Sequence, residues 1–143
     1  MVGECLTKYD FRNIDALEPS KGMASVARSK SIYKNIYLEG IYPDRQTSLL
    51  ENTYDLIVLA GAFGEGHIKC DALLELIRLA KPKGFIILIM REEYLSYVTE
   101  YVNRLEPKME QLEVENVWKK VSKSVVENYS FKKNGLVYVF EKL

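Results

Sequence analysis

Short apolar runs alternate along the chain with segments whose apolar residues recur at helical spacing. Cys5, Leu6 and Tyr9 lie near one another at that spacing, which predicts a short helix over 3–9. Residues 13–17 predict a short strand. Pro19 breaks the pattern, and Ser20 is a good N-cap for a helix over 21–29. In that helix Met23, Val26 and Ala27 recur at i, i+3, i+4 and mark one buried face. The run YKNIYLEG, at 33–40, reads as a second strand from its aromatic and β-branched content. Residues 42–52 are polar and turn-rich, hence a loop with room for one helical turn.

The second part of the chain is more apolar. YDLIVLAG, at 54–61, is continuous, the mark of a strand buried on both faces. A glycine-bearing loop, AFGEGHIKC, follows it. Asp71 is placed to cap a helix over about 72–80, with Leu73, Leu74, Ile77 and Ala80 inside. Pro82 and Gly84 stop that helix, and FIILIM, at 85–90, is another buried strand. A long helix over about 92–112 has Tyr94, Tyr97, Val98, Tyr101, Leu105, Met109 and Leu112 as its apolar side. Pro107 interrupts it, which predicts a kink or two helices. Two β-rich runs then flank Asn134-Gly135, the expected site of a hairpin turn. Trp118 reads as core or lid, and the lysines of WKKVSK as the solvent face of an edge strand. Alternating strands and helices imply an α/β fold: a mostly parallel sheet, helices on both faces and an antiparallel edge hairpin.

Composition narrows the classes. A chain of 143 residues is expected to form one domain, 1–143. Lys+Arg and Asp+Glu both count 20, so no electrostatic footprint for nucleic acid or an anionic membrane follows. Cys5 and Cys70 have no metal-ligand spacing and read as reduced thiols of an intracellular protein. The longest apolar run is too short to span a bilayer, and the N-terminal MVGECLTKYDF has no secretory pattern. The expected location is the cytoplasm, with the nucleus as the alternative. No metal cluster, nucleophile triad or phosphate loop is visible.

Several segments together carry a family likeness. These are IDALEPSKGMASVARSKSIYKNI, YDLIVLAGAFGEGHI, ALLELIRLAKPKGFIILIMRE and the ending of a Trp followed by a hairpin. Over about 10–143 the chain resembles a class I S-adenosylmethionine-dependent methyltransferase. It is similar to the methyltransferase-like group that includes the Williams–Beuren critical-region methyltransferase. The resemblance implies a Rossmann-like three-layer sandwich with S-adenosylmethionine as cofactor and an unidentified methyl acceptor. One departure stands out. The family opens with a strand and an acid-x-Gly-x-Gly turn, and this sequence has no such turn. The family's first strand, central in its sheet, is thus expected to be missing, and the chain reads as N-terminally truncated.

The resemblance also assigns site residues. Glu18 matches the acid whose carboxylate accepts the cofactor's ribose hydroxyls; as a bare sequence feature it equally suits a helix N-terminus. Pro19 follows it, and Met23 matches a position that packs on adenine, the alternative being core filler. Ala60, Gly61 and Ala62 end the most buried strand, where an open sheet binds ligands, and would border the sulfonium. Phe63, Glu65 and His67 are placed toward the substrate entrance. His67, the one histidine, is a candidate general base or a structural hydrogen-bonder. A second function class remains: a non-catalytic methyltransferase-like module, either a homodimer or paired with a partner that supplies the missing strand.

Overall fold

The computed structural model describes residues 2–143. The chain divides into two compact units, one ending at Gly40 and one spanning Ile41–Leu143.

The first unit contains α1 (Val2–Lys8), β1 (Asp15–Leu17), α2 (Lys21–Ser29) and β2 (Asn35–Tyr37). β1 and β2 pair in parallel, Asp15 opposite Asn35 and Leu17 opposite Tyr37. Helix α2 begins as its sequence predicts: the Ser20 hydroxyl accepts the Met23 N–H at 3.4 Å. Its buried face differs from the expectation. Ala24 is fully buried, whereas Met23 and Val26 are 60% and 54% exposed. Cys5 in α1 and Tyr9 just after it are likewise exposed, and the buried residue of α1 is Gly3. A Cβ built on Gly3 would come 2.5 Å from the Tyr33 hydroxyl, so glycine is what lets that ring lie on the helix.

The second unit contains β3 (Tyr54–Ala60), a 3₁₀ turn (Cys70–Ala72), α3 (Leu73–Leu79), β4 (Ala80–Arg91), α4 (Tyr94–Tyr97), α5 (Leu105–Val114), β5 (Trp118–Ser130) and β6 (Lys133–Lys142). Its sheet has the order β3-β4-β6-β5. β3 is parallel to β4, and the remaining pairings are antiparallel. The described residues therefore form two sheets with two parallel and two antiparallel pairings, a more mixed arrangement than a mostly parallel sheet. The fold is mixed α/β. Ile86, Leu88 and Met90 of β4 and Leu136, Tyr138 and Phe140 of β6 point into one core with α3, α5 and Trp118. Each fully buried aliphatic side chain of this kind contributes about 1.5–3 kcal/mol.

Several expectations are corrected here. β3 is an edge strand, so Leu56, Ile57 and Val58 are only half-buried and Leu59 alone is buried. Asp71 does not cap α3; it lies inside the 3₁₀ turn, exposed, 3.7 Å from the Lys108 ammonium. Leu74 is 50% exposed rather than inside. The long helix is two, α4 and α5, and Pro107 sits in the first turn of α5, where a missing N–H has no intrahelical role.

The hairpin turn is also displaced. It is made by Phe131 and Lys132, both at positive φ (49° and 59°), between the paired Ser130 and Lys133. Two left-handed non-glycine residues are costly. The pairing is held instead by Trp118 at the far end of β5. Trp118 is fully buried, stacks on Phe140 at 3.8 Å and donates its indole N–H to the Met109 carbonyl at 3.0 Å. Moving the turn to Asn134-Gly135 would pull Trp118 from that seat. Gly135 is needed for another reason: a Cβ there would lie 2.6 Å from the Tyr129 ring, which packs across it from β5.

The loop before β3 is pinned by a buried polar network. Glu75 accepts from the Thr47 N–H and hydroxyl at 2.9 and 2.8 Å, and Arg78 bridges Glu75 at 2.7 Å to the Leu49 carbonyl at 2.9 Å.

Candidate functional site

The sequence-derived residues fall in two groups, one in each unit. In the first unit β1 runs out at Leu17, and Glu18 stays tied to β2 through its N–H to the Tyr37 carbonyl, 3.0 Å. The half-buried Glu18 side chain turns toward the start of α2. Its Oε1 accepts the Ser20 N–H at 2.8 Å. Glu18 thus opens the helix with one oxygen, as a carboxylate at a helix N-terminus does. Its other oxygen remains for a second donor. Pro19 is exposed between Glu18 and the cap. Met23, one turn along α2, offers an exposed thioether rather than a core one. A ribose diol needs an acceptor at a strand end and adenine needs an apolar face; Glu18 and Met23 are of the right chemical types for both.

In the second unit, Ala60 and Gly61 end β3 and are exposed. Gly61 has φ +73°, a left-handed turn that favours glycine, and its N–H is held by the Ile89 carbonyl at 3.2 Å. A Cβ added there would meet nothing within 4 Å, so the backbone faces open space at the carboxyl end of the parallel pair. Ala62 is part-buried against the core. Phe63 turns inward: it is 1% exposed and packs on Tyr101, ring centroids 5.7 Å apart. Its place is structural, which corrects its reading as a substrate contact. Glu65 and His67 project from the loop into solvent. The His67 N–H is bound to the Gly64 carbonyl at 3.2 Å. The imidazole lies close over Gly64, whose built Cβ would be 2.7 Å from Nδ1 and 3.6 Å from the Tyr94 ring.

Beyond Tyr94 the surface continues through residues that the sequence pattern did not single out as a group. Tyr94 and Tyr97 meet edge to face at 5.9 Å. The Arg91 guanidinium lies 5.6 Å from the Tyr94 ring and 4.9 Å from that of Phe131, which is 84% exposed. Glu93 pairs with Arg91 at 3.4 Å and with Lys133 at 3.0 Å. Partial desolvation, with Glu93, Tyr94 and Glu65 nearby, raises the Tyr97 phenol above its ordinary range and keeps it protonated. Cys70, at the end of the loop, is buried and pushed up to about 11, first by burial and then by the Glu100 carboxylate. It is a thiol donating to the Glu100 carbonyl at 3.1 Å, not a nucleophile.

Two concavities lie elsewhere. One of about 240 Å³ in the first unit is lined by Ala27, Arg28, Tyr33, Lys34 and Ile36. One of about 360 Å³ in the second is lined by residues that include Tyr42, Arg45, Glu75 and Arg78. Neither contains a residue read as functional from the sequence. Among the described residues, no cluster of three or more His, Cys, Asp and Glu could hold a metal ion, and no helix is long and apolar enough to cross a membrane.

No protein-family model matches the chain. Solved structures do. N-methyltransferase NodS from Bradyrhizobium japonicum WM9, in complex with S-adenosylhomocysteine, superposes with TM-score 0.63 at 15% identity, over 91% of this chain and 66% of that one. A SAM-dependent methyltransferase from Methanosarcina mazei gives TM-score 0.61 at 11% identity, over 92% and 82%. The fold is that of these S-adenosylmethionine-dependent methyltransferases, as the resemblance read from the sequence implies for the fold. At the level of sequence, methyltransferase-like protein 27 of Homo sapiens is 28% identical over 118 residues, 82% of this chain. The chain spans about half of that protein's length, the match covering 46% of it.

Proposed function

We propose that this chain is an S-adenosylmethionine-dependent methyltransferase domain that transfers methyl to an acceptor still to be identified. When bound, the cofactor supplies an electrophilic methyl group on a positively charged sulfur. The chain's own part is to bind and align, since methyl transfer needs little beyond a well-placed nucleophile. Glu18 accepts a ribose hydroxyl on the oxygen that Ser20 leaves over. Met23 lies against the adenine. Ala60, Gly61 and Ala62 leave backbone open at the strand end, and Glu65 or His67 takes the proton that the acceptor releases.

One observation carries this reading: the Glu18 carboxylate stands at a strand end, fixed by a single 2.8 Å bond, with its second oxygen available. The sequence holds no acid-x-Gly-x-Gly turn, so binding rests on fewer contacts and is expected to be weak. Titration calorimetry with S-adenosylhomocysteine tests it. Measurable binding that Glu18→Ala weakens about ten- to hundredfold is expected, the loss of a charge-assisted hydrogen bond. No heat at millimolar ligand would sink the proposal.

A second reading, a non-catalytic module completed by another chain, is favoured by β3. That strand is apolar, at the edge of its sheet and half-exposed. A strand from a second copy or a complementing partner would cover it in the place the resemblance gives to the family's first strand. Multi-angle light scattering decides: a monomer across the micromolar range, with no added partner, counts against self-complementation.

A further inference from the structure

From the loop after β3 we infer that Tyr101 is a positioning residue for the candidate site, its buried hydroxyl setting the shape in which Glu65 and His67 are presented. The inference rests on the reading of that loop as the border of the cofactor and acceptor site.

Little in the loop's own sequence fixes its path. Gly61, Gly64 and Gly66 fall within six residues, and Gly61 and Gly66 both sit at positive φ. The internal backbone bonds are long: His67 N–H to the Gly64 carbonyl at 3.2 Å, and Ile68 N–H to the Ala62 carbonyl at 3.3 Å. The shortest bond comes from outside. Tyr101 is 1% exposed, and its hydroxyl donates to the Ile68 carbonyl at 2.7 Å while accepting the Gly64 N–H at 3.0 Å. The Gly64 carbonyl is also close, at 3.1 Å. One hydroxyl therefore ties Gly64 and Ile68 together, on either side of Glu65, Gly66 and His67.

The neighbouring residue holds the loop's end. The Glu100 carboxylate accepts the Cys70 N–H at 3.0 Å, and the Glu100 carbonyl accepts the Cys70 thiol at 3.1 Å. Phe63, packed on the Tyr101 ring, anchors the loop's beginning. A glycine-rich loop pays a large entropy on ordering. Its shape is thus borrowed from residues 100–101, thirty or more positions away, and not encoded in the loop.

Tyr101→Phe keeps the ring and its contact with Phe63 and removes only the hydroxyl. Hydrogen exchange of the Gly64 amide should then speed up about tenfold, the loss of one buried bond. The resonance of His67, the one histidine, should shift and broaden. S-adenosylhomocysteine affinity should fall by about tenfold, the same bond read through the site. Tyr138→Phe is the matched control: it deletes another buried tyrosine hydroxyl, bonded to Glu106 at 2.8 Å, and should leave all three readouts in place.

Should Tyr101→Phe fold poorly, the parent protein still decides. Its Gly64 amide is expected to exchange at least about tenfold more slowly than those of Glu65 and Gly66. An unprotected Gly64 amide, or a His67 signal that both variants move alike, overturns the inference. A loosened loop with unchanged ligand affinity overturns the positioning role. A parent that binds no ligand overturns the proposed function instead, with the clamp itself still read by exchange.

Discussion

The two edges of the four-stranded sheet are built on opposite principles. β5 is exposed on both faces from Lys119 to Asn128, and it carries Lys119, Lys120 and Lys123. Each lysine finds a carboxylate: Glu141 at 2.9 Å, Glu113 at 3.8 Å and Glu106 at 2.7 Å. Its register shifts twice, and Asn128 sits at φ 53° near the second shift. Lysines and irregularities are what keep a strand edge from recruiting another strand. β3 has neither device over Leu56–Leu59, which pairs regularly with β4. The lysines and register shifts suit β5 to an edge left in water, and Leu56–Leu59 of β3 carry no such device.

Three experiments press on that contrast. The largest effect is expected from Trp118→Ala, which removes the anchor of the guarded edge. Burial, the stack on Phe140 and the bond to Met109 make a loss of about 3–5 kcal/mol the expected outcome. Urea unfolding followed by circular dichroism measures it; a loss below about 1 kcal/mol would mean that the hairpin is held by something else.

Next comes Val58→Lys, which gives β3 the device that β5 already has. If association runs through the β3 edge, the associated fraction in light scattering should drop about tenfold, one buried pairing's worth. An equal drop from Val125→Lys on β5 would erase the distinction between the edges.

The smallest effect is acid dependence at β5. Burial works against the ionised Glu106 carboxylate, but the Lys123 ammonium and the Tyr138 hydroxyl outweigh it and leave Glu106 below its ordinary range. A folded-state value below the unfolded one of about 4.3 means that Glu106 stabilises the fold above that pH. The contribution fades as pH falls through the lower, folded value. With the pair partly exposed, about 1 kcal/mol or less is at stake. Urea midpoints between pH 6 and pH 2 should flatten in Glu106→Gln relative to the parent, ranges set by that carboxylate's titration.

What the sequence made legible was local. The Ser20 cap and the span of α2 follow from residues within one turn, and they came out as read. The centres of the strands were visible as well, because apolar runs announce themselves, but β4 begins at Ala80, before its apolar run and inside the span read as helix. Whether a run lies at a sheet's centre or edge depends on which strand pairs beside it, and YDLIVLA reads the same either way. Asn134-Gly135 misled for a related reason: turn propensity of about 1 kcal/mol per residue competes with an indole buried sixteen positions upstream. Of the candidate site, Glu18 drew notice from its place before Pro-Ser, and Gly61 from its small neighbours. Phe63 could not be told from a surface aromatic. Tyr101 carried one usable signal: a tyrosine in an apolar pattern must bring its hydroxyl to some partner, and it does so from the turn between α4 and α5.

Trp118 is the one tryptophan in the chain, and it sits where α5, β5 and β6 meet. The protein therefore carries a built-in optical label. Excited at the red edge of its absorption, it emits from a single dry site beside Phe140. Its spectrum reports the seating of the hairpin, read from one position in the chain.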